Sequence, residues 1–331
     1  MKHYTLDFEK PIRELEVKID ELEFMTQDGV VGLESEIKRL RRKAEKMRKD
    51  IYSKLTRWQH VQLARHPMRP FMLDYIARIF EDFVELHGDR NFRDDKAIIA
   101  GLAYLKTKRN QNADAPDTRM RIAVIGHQKG RGTKENLERN FAMPHPEGYR
   151  KARRIMRLAE KFDIPILTII DTPGAYPGLG AEERGQAAAI AENLFEMAQL
   201  EVPTIAVIIG EGGSGGALAL GVADRVYMLE HAVYSVISPE GCASILFRDA
   251  AQAKKAADAM KVTSADLIKE ELIDGIISEP IGGAHHDVDA VAADILKLIT
   301  AEFTKLQRLK PDVRIQKRIE KYLQMGHWKE D

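Results

Sequence analysis

Cysteine is nearly absent: the 331-residue chain has one, Cys242, so it forms no intrachain disulfide and no cysteine-rich zinc site. That usage suits a reducing compartment, and a cytoplasmic location is expected. Neither sign of charge is in excess. Lys and Arg total 51, Asp and Glu total 51, and the formal net charge is +0, which leaves no overall field to draw the chain to nucleic acid or to an anionic membrane. Phosphate recognition has to come from a local patch, and nucleic acid is a disfavoured partner. Long apolar runs are also missing. Nothing reaches the roughly 18 residues of a membrane span, and Met1-Lys2-His3-Tyr4-Thr5-Leu6-Asp7 lacks the apolar core of a signal peptide, so the chain is expected neither to enter nor to cross a membrane. Cys242 and His285-His286 make no recognisable ligand constellation, and no bound metal is expected. Against these absences stands a hydrophobic content of 44%. A chain of this length typically buries about 75% of its unfolded surface, enough for one large or two ordinary domains without staples.

The first sixty-odd residues differ from the rest. Ile12, Leu15, Ile19 and Leu22, then Leu33, Ile37, Leu40, Ala44, Met47 and Ile51, recur at spacings of three and four amid dense Lys, Arg and Glu, which predicts two amphipathic helices. The break at Thr26-Gln27-Asp28-Gly29 makes them an antiparallel hairpin. Such a pair cannot cover its own apolar face, so it packs on the chain's own body or forms a seam with a second chain. Pro67 and Pro70 mark a boundary, because proline biases its predecessor away from the helical region. Beyond it, Ile76, Phe80, Phe83 and Val84 predict a helix over residues 73–86 that stops at His87-Gly88. Strands are predicted over 97–105 and 121–127, separated by a polar solvent loop at 107–118. A helix over 149–162, a strand over 164–171, a helix over 182–199 and a strand over 202–209 imply a largely parallel sheet. A helix over 215–222, strands over 225–230 and 233–237, and helices over 250–260, 264–271, 288–309 and 313–324 complete the chain.

Glycine is concentrated where chemistry is expected. Gly210-Glu211-Gly212-Gly213-Ser214-Gly215-Gly216-Ala217 follows one apolar strand, and Asp171-Thr172-Pro173-Gly174-Ala175-Tyr176-Pro177-Gly178 follows its neighbour. Such loops let backbone approach a ligand closely and aim free N–H groups at an anion. Fixed backbone donors of this kind stabilise an oxyanion or enolate without reorganising. A P-loop is excluded because the run ends Gly-Gly-Ala rather than Gly-Lys-Ser or Gly-Lys-Thr. A dinucleotide fingerprint is met only in glycine spacing, with Glu230 at about the right distance downstream. Gly212-Gly213-Ser214-Gly215-Gly216 also satisfies the nucleophile-elbow pattern, although the downstream histidines His231, His285, His286 and His327 show no triad signature. Ser214 is therefore either a nucleophile or a helix N-cap. Glu211 and the six glycines within 205–223 argue against a membrane helix there. A third cluster, Gly126-His127-Gln128-Lys129-Gly130-Arg131-Gly132-Thr133-Lys134, is either a phosphate site or a solvated basic turn. Ser238-Pro239-Glu240-Gly241 is a helix start by its chemistry.

Several motifs in order resemble one family, the alpha subunits of acetyl-coenzyme A carboxylase carboxyltransferase of bacteria and plastids. They are Ala64-Arg65-His66-Pro67, Gly126-His127-Gln128-Lys129-Gly130, Pro146-Glu147-Gly148-Tyr149-Arg150-Lys151-Ala152, the stretches 171–178, 180–186, 210–218 and 234–245, and Gly282-Gly283-Ala284-His285. The resemblance implies an α/β, crotonase-like fold, with a helical hairpin at residues 1–65 serving assembly, a carboxyltransferase domain at 66–310 and a C-terminal helix at 311–331. It implies a complex of two alpha and two beta chains, working with biotin carboxylase and the biotin carboxyl carrier protein. The implied reaction moves carboxylate from N-carboxybiotin, on that separate carrier, to acetyl-coenzyme A, giving malonyl-coenzyme A. By the same resemblance the beta chain brings a zinc ribbon and most of the coenzyme A site. The N–H groups of Gly215 and Gly216 face the ureido oxygen of biotin, and Gly174, Ala175, Tyr176, Gly212, Gly213 and Ser214 line the substrate. Lys129, Arg131 and Lys134 are candidate contacts to coenzyme A phosphates. The departing biotin nitrogen collects the proton from acetyl-coenzyme A, which fits the lack of His and Glu pairs in the glycine loops. The stretch 107–118 is longer than the turn expected there and should loop outward. The alternative is an acyl hydrolase acting through Ser214.

Overall fold

The computed structural model describes residues 4–28, 32–106 and 119–326. The loop expected at 107–118, Gly29 and His327 lie outside the described residues. Helices α1 (Lys10–Gln27) and α2 (Glu34–Tyr52) form the expected hairpin. Glu23 pairs with Arg41 at 2.6 Å and Glu16 pairs with Arg48, an order that makes the two helices antiparallel. Leu15, Ile19 and Ala44 are buried between them with Ile37, Leu40 and Met47. The root of the hairpin docks on the body, where Tyr52 Oη donates to the Gly282 carbonyl at 3.2 Å. Phe24 and Met25, at the far end, are exposed.

Helix α3 (Arg57–Ala64) was not predicted. Its start is a capping box, in which Thr56 Oγ1 accepts from Gln59 N–H while the Gln59 side chain accepts from Thr56 N–H. The helix expected over 73–86 is two elements, α4 (Met72–Ile79) and strand β1 (Phe80–Glu85). Phe80, Phe83 and Val84 fit either period, and pairing with the edge of the sheet decides for strand. β1 runs antiparallel to β2 (Ile98–Leu105), which runs antiparallel to β3 (Arg121–His127). The basic cluster after β3 leads into α5 (Gly132–Glu138), then α6 (Pro146–Lys161) and β4 (Ile166–Thr172). The single helix predicted over 182–199 is α7 (Leu179–Glu183) and α8 (Gln186–Gln199), broken where Gly185 adopts φ +81°.

Strand β5 (Thr204–Gly213) takes in the first glycines and is followed at once by the short α9 (Ser214–Leu218), β6 (Arg225–Leu229) and β7 (Val233–Ser235). Then come α10 (Pro239–Phe247), α11 (Ala253–Met260), α12 (Ser264–Lys269), β8 (Gly275–Ile277), α13 (Val288–Leu306) and α14 (Pro311–Leu323). Ser238 caps α10 by accepting from Gly241 N–H at 3.1 Å, as its sequence implied. The sheet order is β1-β2-β3-β4-β5-β6-β8, and β7 pairs with the end of β5. From β3 to β8 every pairing is parallel, so the parallel reading holds for the centre and fails at the β1–β3 edge. The central strands are buried along their length, and α6, α13 and α14 contribute to one main core with them. This places the open ends of β4 and β5 side by side.

Candidate active site at the paired glycine loops

The loops after β4 and β5 are brought together because their strands are hydrogen-bonded neighbours, with Thr172 level with Gly212. Thr172 Oγ1 donates to the Ala142 carbonyl at 2.5 Å and accepts from Gly174 N–H at 3.0 Å. Tyr176 N–H donates to the Pro144 carbonyl at 3.0 Å. Gln186 Nε2 bridges the Pro144 and Tyr176 carbonyls at 2.8 and 3.0 Å. The stretch from Gly174 to Tyr176 is thus held at several points by groups outside it.

Glycine is obligatory where the two loops touch. A Cβ on Gly213 would lie 2.2 Å from the Pro173 carbonyl oxygen, and one on Gly216 would lie 2.5 Å from Ala175 N. One on Gly212 would lie 2.7 Å from the Tyr234 ring. Gly215 differs, since its nearest neighbour would be Ile190 at 3.6 Å, an ordinary contact. Residues 214 to 216 open α9, and N–H groups in a first helical turn have no intrahelical acceptor. The pair of loops therefore offers backbone donors in a confined crevice and little side-chain chemistry.

Behind the loops lies an ion-pair network that the sequence did not bring together, built around Lys129, a candidate for coenzyme A phosphates. Lys129 Nζ contacts Asp171 Oδ1 at 2.7 Å and Glu211 Oε1 at 3.0 Å. Arg65 joins Glu211 at 2.6 Å to Glu240 at 2.6 Å. Asp171 Oδ1 also accepts from the Glu211 N–H at 2.9 Å, and a Cβ on Gly210 would meet that oxygen at 2.4 Å. Burial raises the Asp171 carboxyl despite Lys129. At Glu211 burial also opposes ionisation, but Lys129 and Arg65 together hold the carboxyl below its usual range. The signal was present in the sequence as acidic residues set in an apolar strand and a glycine run.

The three basic residues after β3 fall in different places. Lys129 sits in that network, Arg131 pairs with Asp74 at 2.6 Å and stacks over Phe71, and Lys134 is exposed on α5. Ser214 is exposed with φ +53° at the strand-to-helix turn, which is elbow-like. Among the described residues, however, no hydrogen bond joins it to a histidine. His127 is fully buried, with neither ring nitrogen in a regular hydrogen bond. Among the described residues no group of three or more His, Cys, Asp or Glu is placed to hold a metal ion, and no helix is long and apolar enough to cross a membrane.

Residues 5–326 match the profile of a family described as acetyl co-enzyme A carboxylase carboxyltransferase-like. The chain belongs to that family. The acetyl-coenzyme A carboxylase carboxyl transferase subunit alpha of Azoarcus sp. strain BH72 is 51% identical over 330 residues, covering 100% of this chain and 99% of its own. The same subunit of Dichelobacter nodosus strain VCS1703A is 54% identical over 323 residues, 98% of each chain. Among solved structures, transcarboxylase 12S with hydrolyzed methylmalonyl-coenzyme A bound superposes with a TM-score of 0.54 at 17% identity, over 81% of this chain and 46% of that one. A Pseudomonas malonate decarboxylase hetero-tetramer in complex with coenzyme A gives 0.52 at 16% identity, over 64% of this chain and 86% of that one. These likenesses concern the fold, and they bear out the crotonase-like architecture. Family membership also removes the support for an acyl hydrolase. The left-handed turn at Ser214 lies between Gly213 and Gly216, where the two loops approach most closely.

Proposed function

We propose that the chain is the alpha subunit of an acetyl-coenzyme A carboxylase carboxyltransferase. With a beta subunit it moves the carboxyl group of N-carboxybiotin, held on a biotin carboxyl carrier protein charged by biotin carboxylase, to acetyl-coenzyme A. The product is malonyl-coenzyme A for fatty-acid biosynthesis. The observation that carries this reading is the backbone-to-backbone convergence at Gly216 and Ala175, where a single added Cβ would fill the contact. A neutral ureido ring suits such a crevice, because the acids nearby are already paired with Lys129 and Arg65.

Biotin supplies the transferable carboxyl group when bound. The N–H groups of Gly215 and Gly216 donate to its ureido oxygen and hold the negative charge that develops there. Each such donor contributes a few kcal/mol, about 3 in the best-studied cases, since it is aimed in advance and works away from water. Gly174, Ala175 and Tyr176 form the facing wall, and Gly212, Gly213 and Ser214 the near one. Lys134 and Arg131 are the proposed contacts to coenzyme A phosphates, while the charge of Lys129 is already matched by two carboxylates.

Leu179, Leu218, Val236, Ile245 and Leu246 are exposed on or beside the elements that flank the two loops, Val236 at 80% and Leu179 at 72%. A set of large apolar side chains around a site supports a beta subunit that covers it. The test is reconstitution. Malonyl-coenzyme A should form from carboxylated carrier and acetyl-coenzyme A when the chain is assembled with its beta partner, and not with the chain alone. Full turnover by the isolated chain overturns the shared site, and no product from the assembled complex overturns the assignment.

A further inference from the structure

Between α5 and α6 the chain makes a turn that its residues do not favour. Asn140, Phe141 and Ala142 take φ of +50°, +54° and +56°, consecutive left-handed residues with no glycine among them. L-residues visit that region singly, asparagine more readily than most, because the Cβ crowds the following carbonyl. Such strain persists only where the surroundings over-determine it, and it gathers at functional sites. Here the turn is clasped from within. Asn140 Nδ2 donates to the Met143 carbonyl at 2.6 Å, and Met143 N–H donates to the Asn140 carbonyl at 2.9 Å. Asp95, just before β2, ties the segment to the sheet by accepting from His145 N–H at 2.6 Å and from Ala97 N–H at 2.7 Å.

The turn delivers two carbonyls to the loop after β4. That of Ala142 lies 2.5 Å from Thr172 Oγ1, and that of Pro144 accepts from Tyr176 N–H at 3.0 Å. Thr172 is wholly buried. Its hydroxyl also lies 2.8 Å from the Gly174 carbonyl and accepts from Gly174 N–H at 3.0 Å, so this one group joins the turn to the loop. The amides of Gly174 and Tyr176 are thereby drawn back into the protein, and that of Ala175 between them has no acceptor among the described residues. Ala175 N faces Gly216, where an added Cβ would lie 2.5 Å from it, and its N–H is left for a ligand. We propose, on the reading of Gly174, Ala175 and Tyr176 as the biotin-side wall, that the left-handed turn at 140–142 is the support that sets the position of that wall, and that Thr172 is the positioning residue joining the two. A right-handed turn would carry the Ala142 carbonyl away from Thr172, which gives the strain its reason.

The experiment uses the assembled complex carrying Thr172→Val, which keeps the shape and removes the hydroxyl, and Thr172→Ser, which restores it. Two quantities are read: steady-state carboxyl transfer, and amide hydrogen exchange of the segment 174–178 without biotin and with free biotin added. Thr172→Val should lower kcat/KM for the carboxylated carrier about tenfold, the scale of leaving one buried partner unmet, with KM for acetyl-coenzyme A unchanged. Exchange of the segment without biotin should quicken by about the same factor, and Thr172→Ser should recover both properties. Wild-type transfer in Thr172→Val overturns the proposal. So does an equal loss in the Val and Ser variants, or a loss that falls on both substrates alike and tracks a lowered melting temperature. Should the Val variant fail to assemble, Asn140→Ala, which opens the clasp of the turn, takes its place; the same selective loss is expected, and wild-type transfer there overturns the proposal equally. Failure of the biotin-side reading is distinguishable, since free biotin would then leave exchange of 174–178 unaltered in the wild-type complex while the quickened exchange in Thr172→Val remained.

Discussion

Gly215 and Gly216 are adjacent and chemically identical, yet their surroundings predict different responses to a methyl group. At Gly216 the new Cβ meets main chain at 2.5 Å, and backbone cannot swing away as a flexible side chain does. Gly216→Ala is expected to push the two loops apart and lower kcat about 100-fold or more, comparable to losing an oxyanion donor. Gly215→Ala meets only Ile190 at 3.6 Å and should fold and assemble with wild-type stability. Parallel kinetics and thermal melts on the two variants check this, and equal activities would remove the steric argument. Ser214 offers a second contrast. Its φ of +53° is a conformation that glycine adopts without strain, so Ser214→Gly should stabilise the chain by about 0.5 kcal/mol. Ser214→Ala should keep carboxyl transfer, and the wild type should resist a serine-directed fluorophosphonate; labelling at Ser214 would reopen the hydrolase reading.

Strands and helices were legible from sequence in proportion to how local their causes are. Strand β3 occupies the predicted residues 121–127 because an unbroken run of buried apolar positions has one outcome in the middle of a sheet. The segment 80–85 was misread because its aromatic and branched residues serve helix or strand equally, and its partner β2 is supplied by tertiary structure. Helix α3 was missed although Thr56 and Gln59 spell a capping box. The convergence of the glycine loops was readable, since consecutive strand-helix-strand units place their loops at the same sheet end. The network behind them was not, because Arg65, Lys129, Asp171, Glu211 and Glu240 come from five separate segments. Lys129 is the cation shared by β4 and β5, and Lys129→Met leaves Asp171 and Glu211 facing each other in a buried site. The expected loss is about 3 to 5 kcal/mol, as for breaking a buried ion pair from one side, measurable by urea unfolding. A loss below about 1 kcal/mol would mean that water, not Lys129, satisfies the carboxylates.

Over the whole molecule, the N-terminal arm meets the body through histidines. His66 stacks on His285 with ring centres 4.0 Å apart, and His285 lies 4.6 Å from His286. His60 on α3 faces His231 with Nδ1 atoms 3.3 Å apart. A cavity of about 310 Å³ between the hairpin and His66, His285 and His286 completes the junction. Burial is the leading cause that lowers all five rings, His60 to about 4 and His285 to about 3. Neighbouring histidines, Arg69 and Arg48 reinforce the effect at several of them, while Glu9, Glu16, Glu230, Glu279 and Asp266 oppose it. The sign follows from proton counting. Unfolded histidine binds a proton near pH 6.5 and the folded rings do not, so the unfolded state gains protons first as pH falls. Stability is therefore fully present above about pH 6.5 and declines below it, continuing towards the folded values of about 4 and about 3. Each ring that stays neutral in the fold contributes up to about 1.4 kcal/mol per pH unit. Because the five rings gather at one seam, the hairpin should loosen before the sheet does. Hydrogen exchange at pH 7.5 and 5.5 should show faster exchange over α1 and α2 with the central strands still protected, and a His66→Gln, His285→Gln double variant should flatten the dependence. An acid response that is the same with and without those two imidazoles would place its origin in the carboxylates instead.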